Sequence, residues 1–391
     1  MMRLTDSLIR SAAAVGEQCM QWLSVAVERA TDSEAFFAAE QTPFEVLLDD
    51  GLMRLRYYPP LEHDHITAGK QELAVARREH AVPLLLVPPL AASTMIFDLL
   101  PHRSLVRYLR ARGFAVYLVD WGDPDADDVH LGLRHYCTEK LPAAVAALRA
   151  HSGRQELSLL GYCMGGLFAL IYAGWARDPS IRNLVTIASP VDYHEMGAAG
   201  ELLQRLRLPT RLVRRFTGFR VHNINPKYLR VPGFAASLAF KLTNPKGTLA
   251  AYIDLLMNLG DREYVVEHAT TAAWFNRMHD YPGGIVQDFI VRVGLDNALA
   301  RGEIPLGEER SSLLRGLDCN ILAIAGATDR IVPEASARHV LEVVASGDKD
   351  FRVAPGGHAG VFGGARAPET TWRWAADWLG PRSRTAADQA A

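Results

Sequence analysis

The chain has 391 residues, 49 % of them apolar, with 42 basic against 44 acidic side chains and a formal charge of −2. That apolar share is enough to fill a sizeable core, and the length suits one α/β domain carrying a large insertion. A near-neutral balance without a basic stripe excludes an electrostatic nucleic-acid footprint, so no nucleic-acid partner is expected. The most apolar stretch, 82–97, is interrupted by Pro88 and Pro89 and is too short to span a bilayer. The first residues lack the apolar run and cleavage site of an export signal. Cys19, Cys137, Cys163 and Cys319 therefore read as free thiols in a reducing cytoplasm.

Residues 1–40 form an N-terminal segment. Leu4, Leu8, Val15, Cys19, Leu23 and Val27 recur at spacings near three and four, which predicts an amphipathic helix over 3–31. It either packs on the body or docks a partner or lipid-like surface. Next, 44–48 and 53–58 flank Asp49-Asp50-Gly51, a hairpin signal because Asp-Gly favours a tight turn. The stretch 62–80 is polar. Short apolar runs at 83–87, 115–119, 157–160, 183–188, 320–325 and 350–353 then alternate with helical segments, including 104–112, closed by Gly113. Apart from 350–353, which carries Asp350 and Arg352, these runs are largely apolar and predict parallel strands covered on both faces. The expected fold class is α/β, with a mostly parallel central sheet and helices on both faces. The body comprises 41–192 and 311–381. An inserted, helix-rich cap occupies 193–310, and a polar tail, expected to be disordered, follows from Arg382 to 391.

Three positions carry chemistry. Gly161-Tyr162-Cys163-Met164-Gly165 follows a strand and precedes a helical run, the Gly-x-nucleophile-x-Gly elbow with Cys at its centre. A strained turn at the nucleophile requires small neighbours two residues to either side. It also aims the Met164 amide at a reacting carbonyl. Asp329 lies on the loop after the 320–325 strand, at the carboxyl edge where sites form. Taken alone, it reads more simply as a turn-forming Asp. His358 sits in Pro355-Gly356-Gly357-His358-Ala359-Gly360, just after the last strand signal. The order nucleophile, acid, His is the one such elbows require. A thiol of ordinary pKa, about 8.5, is only a few per cent ionised at neutral pH. An imidazole held by a carboxylate would take its proton and free a thiolate to attack an ester or thioester.

The chain resembles the polyhydroxyalkanoate synthases from about Thr42 to Leu379. The resemblance rests on Val87-Pro88-Pro89-Leu90, Phe97-Asp98-Leu99, Arg103-Ser104-Leu105-Val106 and Val116 to Gly122. It continues in Gly161 to Gly166, Ala188-Ser189-Pro190-Val191-Asp192, Asn297 to Gly302, Asp329 to Pro333, and Gly357-His358-Ala359-Gly360. It departs at Ala91-Ala92-Ser93-Thr94, where that family often carries a bulkier or amide-bearing set. Its α/β-hydrolase fold and its site carry over as Cys163 nucleophile, Asp329 acid and His358 base. Met164 and Ala91 would supply the oxyanion amides. The implied reaction polymerises (R)-3-hydroxyacyl-coenzyme A into polyester through an acyl-Cys163 intermediate, with coenzyme A released and no separate cofactor or metal. The implied partners are the growing polyester or granule surface and either a second helical subunit or another copy of the chain. Other readings are a Cys-dependent hydrolase (polyester depolymerase, thioesterase or dienelactone-hydrolase-like) and a non-catalytic granule protein.

Overall fold

The computed structural model describes residue 28 and residues 36–384, except 244 and 308. The helix expected over 3–31 lies outside the described residues apart from Glu28. Eight strands form one sheet. They are β1 Glu45–Asp49, β2 Arg54–Tyr58, β3 Leu84–Val87, β4 Val116–Asp120, β5 Leu157–Tyr162, β6 Ile181–Ile187, β7 Asn320–Gly326 and β8 Lys349–Ala354. Their spatial order is β1-β2-β4-β3-β5-β6-β7-β8. The β1–β2 and β2–β4 pairs are antiparallel and all later neighbours are parallel. The β1–β2 turn is held by its own aspartates: Asp49 accepts from the Gly51 amide and Asp50 from Leu52 and Met53.

Strand β3 shows why its run is uniformly apolar. Leu85 and Val87 pack into the core on one face, with helices α2 Leu141–Ser152 and α3 Met164–Ala176. Leu84 and Leu86 pack into the other, with α1 Leu105–Ala111 and a C-terminal helix over Arg373–Arg382. With both faces covered, no position on the strand is free for a polar side chain. Helix α1 begins where expected, because the Ser104 hydroxyl accepts from the Arg107 amide as an N-cap.

Between β6 and β7 come α4 Gly197–Thr217, α5 Gly233–Leu242, α6 Pro245–Met257, α7 Arg262–Asn276 and α8 Gly283–Asp288. The stretch taken from sequence as the cap divides here. From Ile285 onward, Val293, Ala298, Leu299, Ile304 and Leu306 belong to the main core. Glu303–Leu306 and Glu309–Leu313 form a hairpin whose Ser312 hydroxyl donates to the Ile171 carbonyl of α3. The polar stretch 62–80 also holds a hairpin, His65–Ala68 with Gln71–Ala74. After β7 follow α9 Glu334–Arg338, α10 Val340–Val343, α11 His358–Gly363 and α12 Arg373–Arg382.

The expected start of the tail needs correcting. Arg382 closes α12 with two guanidinium bonds to Asp348, at 2.7 and 3.0 Å. Ser383 is buried, and its carbonyl accepts from the Ala81 amide. Residues 382–384 are thus anchored to the body, and the rest of the tail lies outside the described residues. No described helix is long and apolar enough to cross a membrane.

Candidate active site

The elbow is built by close approach. Strand β5 ends at Tyr162, α3 begins at Met164, and Cys163 between them takes φ +53°, ψ −120°. Such a backbone is strained for a side-chain-bearing residue, at about 1–3 kcal/mol. It is held because the Cys163 amide donates to the Ile187 carbonyl of β6 at 2.8 Å, and its own carbonyl accepts from Gly166 at 3.1 Å. A Cβ on Gly161 would lie 2.4 Å from the Gly166 backbone, and one on Gly165 would lie 2.0 Å from the Val87 carbonyl. Gly166, which the motif does not require, faces the Ser189 hydroxyl just as closely. The Gly165 contact seats the start of α3 against the end of β3, where the Ala91 loop departs. Ala91 is buried there, and its carbonyl accepts from the His279 amide at 3.0 Å. The indole of Trp121 donates to the Pro88 carbonyl at 2.8 Å and braces the same loop.

Asp329 follows β7 in the Gly326 turn. One carboxylate oxygen accepts from the amides of Ile331 and Val332, both at 2.8 Å. The other lies 2.8 Å from His358 Nδ1. Its side chain is fully enclosed. His358 begins α11 after β8; its imidazole hydrogen-bonds to Asp329 and interacts electrostatically with Cys163. Burial alone would lower its pKa. The charge on Cys163, the hydrogen bond to Asp329, the interaction with the Cys163 sulfur and the Asp329 charge outweigh it and push His358 up to about 10. The structure thus brings together Cys163, Asp329 and His358, which are far apart in sequence. Asp318, the acid just before β7, is exposed at the opposite edge, beside Cys319 in a separate cavity of about 340 Å³.

Several neighbours were not legible beforehand. The Tyr162 hydroxyl donates to the His358 carbonyl at 3.1 Å, and its ring stacks on Phe362 at 4.2 Å. Burial, then the charge on Cys163, raises the hydroxyl pKa of Tyr193 and Tyr281. Tyr193 is set by Asn297, whose amide oxygen accepts from the Tyr193 backbone N–H at 3.0 Å. The Asn297 amide nitrogen donates to Asp192 at 2.8 Å. Tyr281 is held by a two-residue bridge to Val231. A cavity of about 580 Å³ opens between α5, α6, α7 and the loops after β7 and β8. Phe240, Phe275, Arg330 and His358 are among its walls. Among the described residues, no cluster of His, Cys, Asp or Glu could hold a metal ion.

A nucleophile turn between strand and helix, with acid and imidazole on the loops after two later strands, is the arrangement of the α/β hydrolases. Residues 82–365 match that family, the α/β-hydrolase fold, and the chain belongs to it. Over 350 residues it is 28 % identical to the poly(3-hydroxyalkanoate) polymerase subunit PhaC of Haloferax mediterranei, covering 89 % of this chain and 66 % of that one. The chain thus spans just under two thirds of that relative's length. It is also 28 % identical over 312 residues to the PhaC subunit of Allochromatium vinosum, covering 77 % and 81 % of the two chains. Among solved structures, a soluble variant of monoglyceride lipase from Saccharomyces cerevisiae shares the fold. Its TM-score is 0.53 at 14 % identity, over 89 % of this chain and 97 % of that one.

Proposed function

We propose that this chain is an acyltransferase that polymerises 3-hydroxyacyl groups from coenzyme A thioesters through a thioester on Cys163. The observation that carries the reading is His358 hydrogen-bonded to Asp329 and electrostatically coupled to Cys163 at the elbow. Similarity to polymerase subunits over most of the chain supports the substrate class. In the first half-reaction His358 takes the thiol proton and the sulfur attacks the thioester carbonyl carbon. The C–S bond to coenzyme A then breaks, and the leaving thiolate takes the proton back from His358. In the second, His358 takes the proton of a hydroxyacyl chain end, whose oxygen attacks the acyl-Cys163 carbonyl. A C–O bond forms, the C–S bond to Cys163 breaks, and the thiolate regains the proton. Asp329 keeps the His358 Nδ1 protonated and steadies the imidazolium. The amides of Met164 and Ala91 face the carbonyl oxygen as charge develops on it. A polyester surface, a helical second subunit and a second copy are the partners this reading calls for, and no cofactor is needed beyond the thioester.

The test is purified protein with 3-hydroxybutyryl-coenzyme A, following free thiol, free hydroxy acid and turbidity together. Polymer with coenzyme A release and little free acid supports the proposal. Stoichiometric free hydroxy acid would make the chain a hydrolase instead.

A further inference from the structure

Helix α4 is amphipathic the wrong way round for a packed helix. Leu203, Arg207 and Thr210, spaced i, i+4, i+7, are the half-buried residues that seat it on the body, and Leu203 meets Gly294 there. Leu202, Leu206, Val213 and Phe216, spaced i, i+4, i+11, i+14, make a second stripe that points away. They are 56, 43, 48 and 80 % exposed. An apolar stripe turned to solvent along a helix of 21 residues, even one with Pro209 inside it, marks an interaction surface.

The charge beside it selects the partner. Between 197 and 220 there are six arginines and one glutamate, in a chain whose net charge is −2. Glu201 pairs with Arg205, and Arg211 reaches Asp296 only at 3.9 Å. Arg214, Arg215 and Arg220 are exposed and make no salt bridge among the described residues. A second copy docked face to face would set these arginines against one another, which opposes association. An uncharged polyester gives them no counter-charge, and a nucleic acid has no use for the apolar stripe. An arginine-rich helix with Leu and Phe along an exposed face fits the boundary between anionic headgroups and acyl chains.

We infer that α4 seats this protein on an anionic lipid surface, with Phe216 and its stripe entering the acyl boundary and Arg214, Arg215 and Arg220 meeting phosphate headgroups. The inference does not depend on the acyl-transfer reading, because lipid binding is measured without substrate. Full-length protein is mixed with vesicles of phosphatidylcholine, with or without phosphatidylglycerol, and the bound fraction is measured by co-sedimentation. Binding should require phosphatidylglycerol and weaken with salt. It should fall about fivefold for each of Arg214→Gln and Arg215→Gln. It should be lost when Phe216→Ser is added. Phe216 is exposed, so the fold should survive, which circular dichroism and a thermal melt check. Equal binding with and without phosphatidylglycerol overturns the inference, as does undiminished binding by the triple variant. Absent vesicle binding, with sedimentation showing that the same substitutions disperse a dimer, makes the face a protein interface and also overturns it.

Discussion

His358 has two partners with different duties, and single substitutions separate them. Its proton affinity is higher folded than unfolded. The site therefore stabilises the fold fully below the ordinary imidazole value of 6.5 and loses that contribution as pH rises through about 10. Cys163→Ala removes the largest of the raising influences, so burial regains ground. We predict that His358 then titrates at lower pH, read by NMR of the imidazole, and that the stability loss begins correspondingly earlier. An unchanged His358 titration would mean the thiol carries no charge next to it. The same variant should form no acyl adduct by intact mass, and an adduct on Cys137 or Cys319 would reassign the nucleophile. Asp329→Asn acts through orientation. Its Oδ1 can keep the Ile331 and Val332 amides, but an NH2 group then faces His358 Nδ1, and the ring must turn or change tautomer. Turnover should drop about 10³–10⁴-fold with the melting curve little changed. Full activity in this variant, with loss in Asp318→Asn, would move the acid to the other edge of the sheet.

At the scale of elements, the elbow is where packing and chemistry share one constraint. Gly165→Ala would drive a methyl into the Val87 carbonyl, and a backbone atom in a central strand cannot swing aside. Helix α3 must shift, so about 1–3 kcal/mol of stability should be lost. The Met164 amide moves with it, and acyl transfer should slow about 100-fold, the usual effect of a misplacement near 1 Å. A denaturant midpoint and rate both at wild-type values would show that the glycine is not needed for close packing. This constraint was readable in the sequence because a strand, a Gly-flanked Cys and a helix follow one another without a gap. The parallel strands were readable for a related reason: a strand buried on both faces, as β3 is, has no polar position to blur its run. The hairpins at 65–74 and 303–313 were not. Their strands run to five residues at most, so the two buried and two exposed positions of His65–Ala68 and of Glu303–Leu306, the latter with Pro305 inside it, are too short a pattern to stand out. Tyr193 and Tyr281 were hidden for another reason. What places them is a contact between distant segments, Asn297 on Asp192 and Val231 on Tyr281, and no local pattern encodes it.

Over the whole molecule, the helices between β6 and β7 cover the site through a thin set of contacts. Phe240 of α5 lies with its ring 6.1 Å from that of His358 and 5.4 Å from that of Phe275 on α7, forming one wall of the 580 Å³ cavity. Behind it the layer is tied down in two places: α7 is held to the body through Glu267 to Arg103 and His102 and through Thr270 to Ala38, and the segments near 230 and 280 hold one another. The Gly233 amide and Arg230 both reach the Asp280 carboxylate, and His279 holds the Ala91 carbonyl. With α7 and the segments near 230 and 280 pinned, α5 at the ring end is the part suited to open while the Ala91 loop stays in place. A growing polyester would need that freedom, since a thioester must enter while a chain leaves. Phe240→Ala therefore tests whether access is gated. The ring is only partly buried, so the loss of stability should fall below the 3–5 kcal/mol typical of a fully buried Phe. Alkylation of Cys163 by a bulky maleimide should speed up severalfold, while iodoacetamide, small enough to pass already, should react at an unchanged rate. Hydrogen exchange should rise in α5 and stay level in α7, β5 and α3. If both reagents accelerate equally and exchange rises throughout, the substitution has loosened the fold as a whole and Phe240 is ordinary packing. If neither rate changes, the path to Cys163 does not run past α5.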